Sequence, residues 1–287
     1  MTGSSTTTHP IHSRYLTCVI GIATLVITLG APAVVCGQAQ AQPPAGEADL
    51  AKKLSNPISD LVSIPFQFNW EQNVGPNEST RFILNVQPVM PFSISQDWNL
   101  IARVIMPLVS QPALVGGGAP AFGLSDVLAS FFLSPKEGGI TWGVGPVISL
   151  PSTATPTLGT EKWSAGPTAV VLKQAGPWTM GALWNQVWSF SGNSDRSDVN
   201  QMFLQPFAAY QASRTVTVTV QSETTANWEV DDDTWTIPLN IAVAKLSSFG
   251  LFPASYQFSA GGFMVHPDAG PSWKIRGAIV ILLPKTR

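Results

Sequence analysis

Charge is scarce in this chain. Only 11% of its 287 residues are Asp, Glu, Lys or Arg, where an ordinary soluble domain carries about 25%. The 15 basic and 17 acidic side chains leave a net charge of -2, which supplies no basic footprint for nucleic acid. Cysteine and histidine are nearly missing: 2 Cys and 3 His. Cys18, Cys36, His9 and His12 all lie ahead of residue 42, so residues 42–287 contain neither a disulfide nor a thiolate nucleophile, and His266 is their only imidazole. No cluster with metal-ligand spacing appears, and no cofactor is expected. What the chain does have is 10 Trp and 14 Phe, enough apolar surface to exclude a disordered chain.

The N-terminus reads as an export signal. A polar start with a single charge, Arg14, leads into an apolar run over residues 15–30, then small residues and Ala39-Gln40-Ala41, an A-x-A cleavage pattern. The run is shorter than the roughly 20 apolar residues of a spanning helix. A lipoprotein site before Cys36 is disfavoured by the bulky Val35. We therefore expect residues 1–41 to be a signal peptide and residues 42–60 a polar periplasmic lead-in. Beyond them no apolar run approaches a membrane helix. The remainder is either a soluble exported domain or a closed β-barrel, the other structure that satisfies its backbone within a bilayer.

From residue 61 the apolar pattern has a period of two, the signature of strands with unlike faces. Val62, Ile64, Phe66, Phe68 and Trp70 share one face, opposite Ser63, Gln67 and Asn69. Phe82, Leu84 and Val86 oppose Arg81, Asn85 and Gln87; Leu100, Val104 and Met106 oppose Asn99 and Arg103; Ile275, Ile279 and Ile281 oppose Lys274 and Arg276. Roughly twelve such segments recur, each near the ten residues of a membrane strand. Short connections alternate with longer ones, the arrangement of an outer-membrane barrel. Residues 71–80, 110–125, 151–161, 191–200 and 223–233 are the expected long loops, and the connection at 247–254 breaks the alternation.

The expected fold is therefore all-β, an antiparallel transmembrane β-barrel of about twelve strands over residues 61–287. Tryptophan position favours this over a β-sandwich, whose core would hold its Trp residues mid-strand. Trp98, Trp142 and Trp178 open their segments, while Trp70, Trp163, Trp188, Trp235 and Trp273 sit at the opposite ends of theirs. Two aromatic girdles follow, with the indole body on lipid and its N–H wet. Pro88, Pro206 and Pro238 fall inside segments and require bulges or shorter strands, because proline removes a ladder hydrogen bond and a closed barrel has no edge.

Several strings resemble a family of bacterial outer-membrane β-barrel transporters related to the MetA-pathway of phenol degradation proteins: NVQPVMPF (residues 85–92), DWNLIARVIMPLVSQP (97–112), FGLSDV (122–127), WGVGPVISLPSTATPTLGTEKWSAGPTAVVLKQAGPWTMGAL (142–183) and DVNQMFLQPF (198–207). The resemblance spans nearly all of the expected mature chain. It implies an outer-membrane barrel that passes small solutes, aromatic or hydrophobic ones among them, and it brings no catalytic residues with it. Some relatives carry the label "neuromedin U", which no feature of this sequence supports.

The remaining candidates for chemistry have plainer readings. Asp231-Asp232-Asp233 lacks the spacing and glycine of a calcium loop and reads as a solvated loop. Gly116-Gly117-Gly118 and Gly143-x-Gly145 open no helix and read as turn or close strand packing. His266 precedes a turn-rich stretch and has no evident serine and acid partners. On the inward face, Arg81, Arg103, Lys274 and Arg276, with Asp126, Glu223, Phe203 and Phe207, are the candidate pore-lining residues. The basic side chains are expected to form a strip partly paired with Asp126. Taken together these point to a non-enzymatic channel in a bacterial outer membrane, with lipid and a small solute as partners. The alternatives are a lipid-acting enzyme built around His266 and a structural barrel without an open pore.

Overall fold

In a computed structural model, residues 46–113, 118–153 and 155–283 are described. The expected signal segment and the first two glycines of Gly116-Gly117-Gly118 lie outside them. The chain forms twelve antiparallel strands, each hydrogen-bonded to its sequence neighbours: β1 (Val62–Val74), β2 (Ser79–Val86, resuming over Val89–Ser93), β3 (Trp98–Gln111), β4 (Ala121–Leu124, resuming over Val127–Pro135), β5 (Thr141–Leu150), β6 (Lys162–Ala175), β7 (Trp178–Gly192), β8 (Asn200–Gln211), β9 (Val216–Gln221, resuming over Thr224–Asn227), β10 (Trp235–Phe249), β11 (Phe252–Val265) and β12 (Trp273–Leu283). β12 pairs with β1, Ile281 opposite Ile64 and Lys274 opposite Glu71, so the sheet closes on itself without an edge.

The three interrupted strands trace to proline. Pro65 on β1 has no N–H to return to Gln87, which donates to its carbonyl, and β2 breaks at Gln87-Pro88 with its register intact. Opposite Pro107 the ladder slips: Leu108 faces Leu124 but Ile105 faces Leu128, which leaves Asp126 as the extra residue of a β-bulge. β9 breaks at Ser222-Glu223, between Pro206 of β8 and the Pro238 region of β10. Opposite Pro238, β11 accommodates an extra Met264.

Every odd-numbered strand starts at the same end of the barrel, where the connections are tight, and that end is called the turn end below. Three expectations about loops change. The loop expected at 223–233 begins only after Asn227, where β9 ends. β1 and β2 continue to Val74 and from Ser79, so residues 75–78 are a tight turn with Gly75 in the left-handed region (φ 71°). The connection at 247–254 shrinks to Gly250-Leu251, with Gly250 at φ 58°, and the alternation of short turns there is unbroken.

Ahead of β1, residues 46–60 are folded against the barrel, not a simple polar lead-in. Helix α1 (Gly46–Leu54) carries Glu47 and Asp49 in its first turn and Lys52 and Lys53 in its last, the charge order a helix dipole favours. Its backbone carbonyls are bound by inward side chains of the wall: Gln211 Nε2 donates to Ala48 O and Gln174 Nε2 to Lys52 O, each at 3.0 Å. Ile58 follows into an apolar cluster with Val89, Ile101, Phe132, Val170 and Leu183, against which Phe203 packs. The segment therefore occupies the lumen at the turn end.

Candidate functional site: the lumen

Strand parity decides what faces inward. Arg81, Arg103, Lys274, Arg276, Glu223, Phe203 and Phe207 all project into the lumen, and the buried polar residues Ser63, Asn69, Glu71 and Gln87 lie on the same inner face. The outer face is apolar; Phe258, Ile241, Val243 and Met180 stand exposed on it.

The lumen is divided lengthwise. On the β4–β8 side it is packed shut, by the Ile58 cluster at the turn end and by Val147, Val187, Val199 and Leu128 toward the loop end. The loop after β5 seals that side. Asp126 accepts hydrogen bonds from both the N–H and the hydroxyl of Thr160, at 2.7 Å each, and Arg196 Nη2 donates to the carbonyls of Pro156 (2.9 Å) and Gly159 (2.7 Å). This corrects the expected role of Asp126. The slip opposite Pro107 makes it a bulge residue aimed at the loop backbone, and it does not pair with the basic strip.

The open part runs along β8–β12 and β1–β3. An upper chamber of about 490 Å³ and a lower one of about 190 Å³ share Gln67, Gln87, Arg103 and Gln205 as common lining. Among the described residues none from β4–β7 lines either chamber. Two ion-paired groups stand in the upper chamber. Arg81 is bound to Glu71, Nη2 at 2.6 Å and Nε at 2.7 Å. Glu223 receives both Lys274 Nζ (2.6 Å) and a two-pronged contact from Arg276, Nη1 and Nη2 each at 2.7 Å, while Arg276 Nε also donates to Asn69 Oδ1. Bidentate guanidinium–carboxylate contacts of this kind fix geometry as well as charge. Lys274 Nζ also lies 5.5 Å from the centre of the Phe263 ring.

Amides join the two ends of this arrangement. Gln87 Nε2 donates to Gln67 Oε1 (3.0 Å) and Gln87 Oε1 accepts from Arg103 Nη2 (3.0 Å), while Gln205 reaches Gln221 (3.3 Å). Sequence parity exposed the charged residues. It set Gln67 and Gln87 on the inward face without counting them as pore-lining, and it missed Gln205 and Glu71, the latter expected in a loop and found on β1.

The tryptophans sit at the strand ends. Trp98, Trp142 and Trp178 lie at the turn end, where Trp98 and Trp142 meet edge to face and Trp178 packs on Tyr210. Trp70, Trp163, Trp188, Trp235 and Trp273 lie at the loop end, all pointing away from the lumen. Trp184 is the mid-strand exception. His266 lies in the loop after β11, its Nδ1 2.8 Å from the carbonyl of Pro267, and among the described residues no hydrogen bond joins it to a serine or a carboxylate. Asp231-Asp232-Asp233 lies in the exposed loop after β9.

No family model matches the chain, and no curated protein matches it in sequence. Solved structures do match in fold. The outer-membrane channel of the COG4313 group from Pseudomonas putida F1 superposes with a TM-score of 0.59 at 14% identity, over 78% of this chain and 96% of that one. The NanC porin superposes with a TM-score of 0.51 at 10% identity, over 78% of this chain and all of the other. A closed twelve-strand barrel with an apolar outer face and this fold is a bacterial outer-membrane protein.

Proposed function

We propose that the barrel is a passive outer-membrane channel for small solutes that join a polar group to an apolar body, aromatic ones among them. The observation that carries this reading is the pair of adjoining chambers along β8–β12 and β1–β3, which share one belt of glutamines and Arg103. Their walls are mixed. Ile83, Ile105, Phe203 and Phe207 stand among Arg81, Lys274, Arg276 and the amides, a lining suited to an amphipathic solute. The resemblance of the 142–183 string to the phenol-degradation transporters supports the aromatic part. On this reading the turn end faces the periplasm, the tryptophans mark the membrane boundaries, and Arg81, Arg103, Lys274 and Arg276 set the polarity of the passage.

Planar-bilayer recording tests it. The purified full chain should give discrete ion currents, and silence at all voltages overturns the channel. Arg103→Glu should shift ion selectivity toward cations; unchanged conductance and selectivity would remove Arg103 from the pathway.

A further inference from the structure

We propose that the lower chamber is a binding site for a compact organic carboxylate, held by Arg103. The inference rests on the channel reading for how the ligand arrives. Three of the four cations in the two chambers are already paired: Arg81 with Glu71, and Lys274 and Arg276 with Glu223. Arg103 is the fourth. Among the described residues it has no carboxylate within ion-pair distance, and of its five N–H donors only Nη2 has a hydrogen-bond partner, Gln87 Oε1. Four cations against two carboxylates leave this lining with an excess positive charge, and the guanidinium left over is the one shared by both chambers.

Arg103 is held in place. Gln87, buried, uses its carbonyl for Arg103 and its amide for Gln67, so the guanidinium is pinned at the boundary with its other donors unfilled. A planar fork of free N–H groups matches a carboxylate in two parallel hydrogen bonds. Below it the lining is mixed: an apolar patch of Val89, Phe207 and Ala209 from the wall and Leu54 and Pro57 from the N-terminal segment stands among polar side chains such as Asn56, Thr219, Gln221 and Gln257. A small inorganic anion would satisfy Arg103 and leave those surfaces against water. A carboxylate on a short, partly apolar body meets both the guanidinium and that patch, and the roughly 190 Å³ volume suits a compact molecule. The floor is supplied by residues 54–59, seated by the hydrogen bonds of Gln174 and Gln211 to α1. The chamber is complete only while that segment is in place.

The test is calorimetric titration of the full chain in detergent at pH 7 with benzoate and with benzamide, its uncharged analogue of similar shape. Benzoate should bind saturably and benzamide about tenfold or more weakly, the difference expected of a charge-assisted pair. In Arg103→Gln the benzoate affinity should fall to the benzamide level, and Arg103→Lys, which keeps charge without the fork, should lie between. Equal binding of the two probes by the unmodified protein, or full benzoate affinity in a correctly folded Arg103→Gln, overturns the site. If that variant fails to fold, the probe pair on the unmodified protein decides. Absence of bilayer current would overturn the channel reading and leave this titration interpretable, while a conducting protein that binds neither probe overturns the site alone.

Discussion

A single carboxylate, Glu223, answers two cations of β12 across the lumen, with β10 and β11 between them in the wall. Its replacement by Gln preserves shape and removes the counter-charge from two largely buried basic groups. Stranding a buried charge costs about 3–5 kcal/mol, so Glu223→Gln should lose the compact, heat-modifiable gel migration of the folded barrel at a clearly lower temperature; an unshifted transition would show the pair to be dispensable. A second titrating group, Asp198, lies in the loop after β7, outside the spanning strands. The Lys162 ammonium (3.0 Å) and the Ser189 hydroxyl (3.1 Å) both donate to Asp198 and hold its carboxyl below its ordinary value of 3.8. A lowered value means the contact contributes in full above pH 3.8 and is lost as pH falls through the lower folded value. Protection of loop residues 193–199 against hydrogen exchange, taken relative to the intrinsic rate at each pH, should therefore fall on acidification below pH 3.8, and in Lys162→Met it should be low already at pH 7. Parity was enough to read from the sequence that Arg81, Arg103, Lys274 and Arg276 face inward. Their partners were not legible, because Glu223 meets Lys274 across the lumen, where sequence spacing says nothing, and because one proline-induced slip turned Asp126 toward a loop.

Strands were legible as elements because alternation survives wherever one face meets lipid and the other the lumen. Pro65, Pro107, Pro206 and Pro238 interrupt the ladders without spoiling that alternation for more than one residue, which is why the segments could be counted while the bulges could not be placed. Gly145-Pro146 and Gly166-Pro167 show the same economy on adjacent strands: Pro146 faces Pro167, and a Cβ on Gly166 would clash with the carbonyl oxygen of Gln186. That contact is with backbone, which cannot rotate away. Gly166→Ala should cost about 1–3 kcal/mol, as overpacking does, read as a smaller folded fraction when urea-unfolded protein is refolded into detergent. Helix α1 escaped sequence reading for the opposite reason. It is nine residues long and mostly polar, and it is held by amides of β6 and β8, not by an apolar stripe of its own. Its seat in the lumen makes it an obstruction, so a chain lacking residues 46–58 should give larger single-channel currents than the full chain; equal currents would mean the solute path bypasses it.

For the whole molecule, scarcity of charge and abundance of tryptophan have one physical origin. A barrel wall in contact with lipid disfavours charge, since Lys or Arg on that face costs about 2–4 kcal/mol near the midplane; among the described strand residues on the outer face Lys173 and Lys245 are charged, both near the turn end, away from the midplane. Indole is favoured where hydrocarbon meets headgroup, and eight of the 10 tryptophans stand at strand ends on the outer face. The two bands make a prediction about depth that a soluble sandwich could not satisfy. In vesicles of lipids brominated at defined carbons, tryptophan emission should be quenched most by bromines near the headgroups and least by those at the chain ends. Trp184, halfway along β7 on the outer face, is the one expected contributor to deep quenching, so Trp184→Phe should widen the contrast. Stronger quenching from chain-end bromines in that variant would place the tryptophans in the wrong layer and with them the assignment of which strand ends lie at the membrane surfaces.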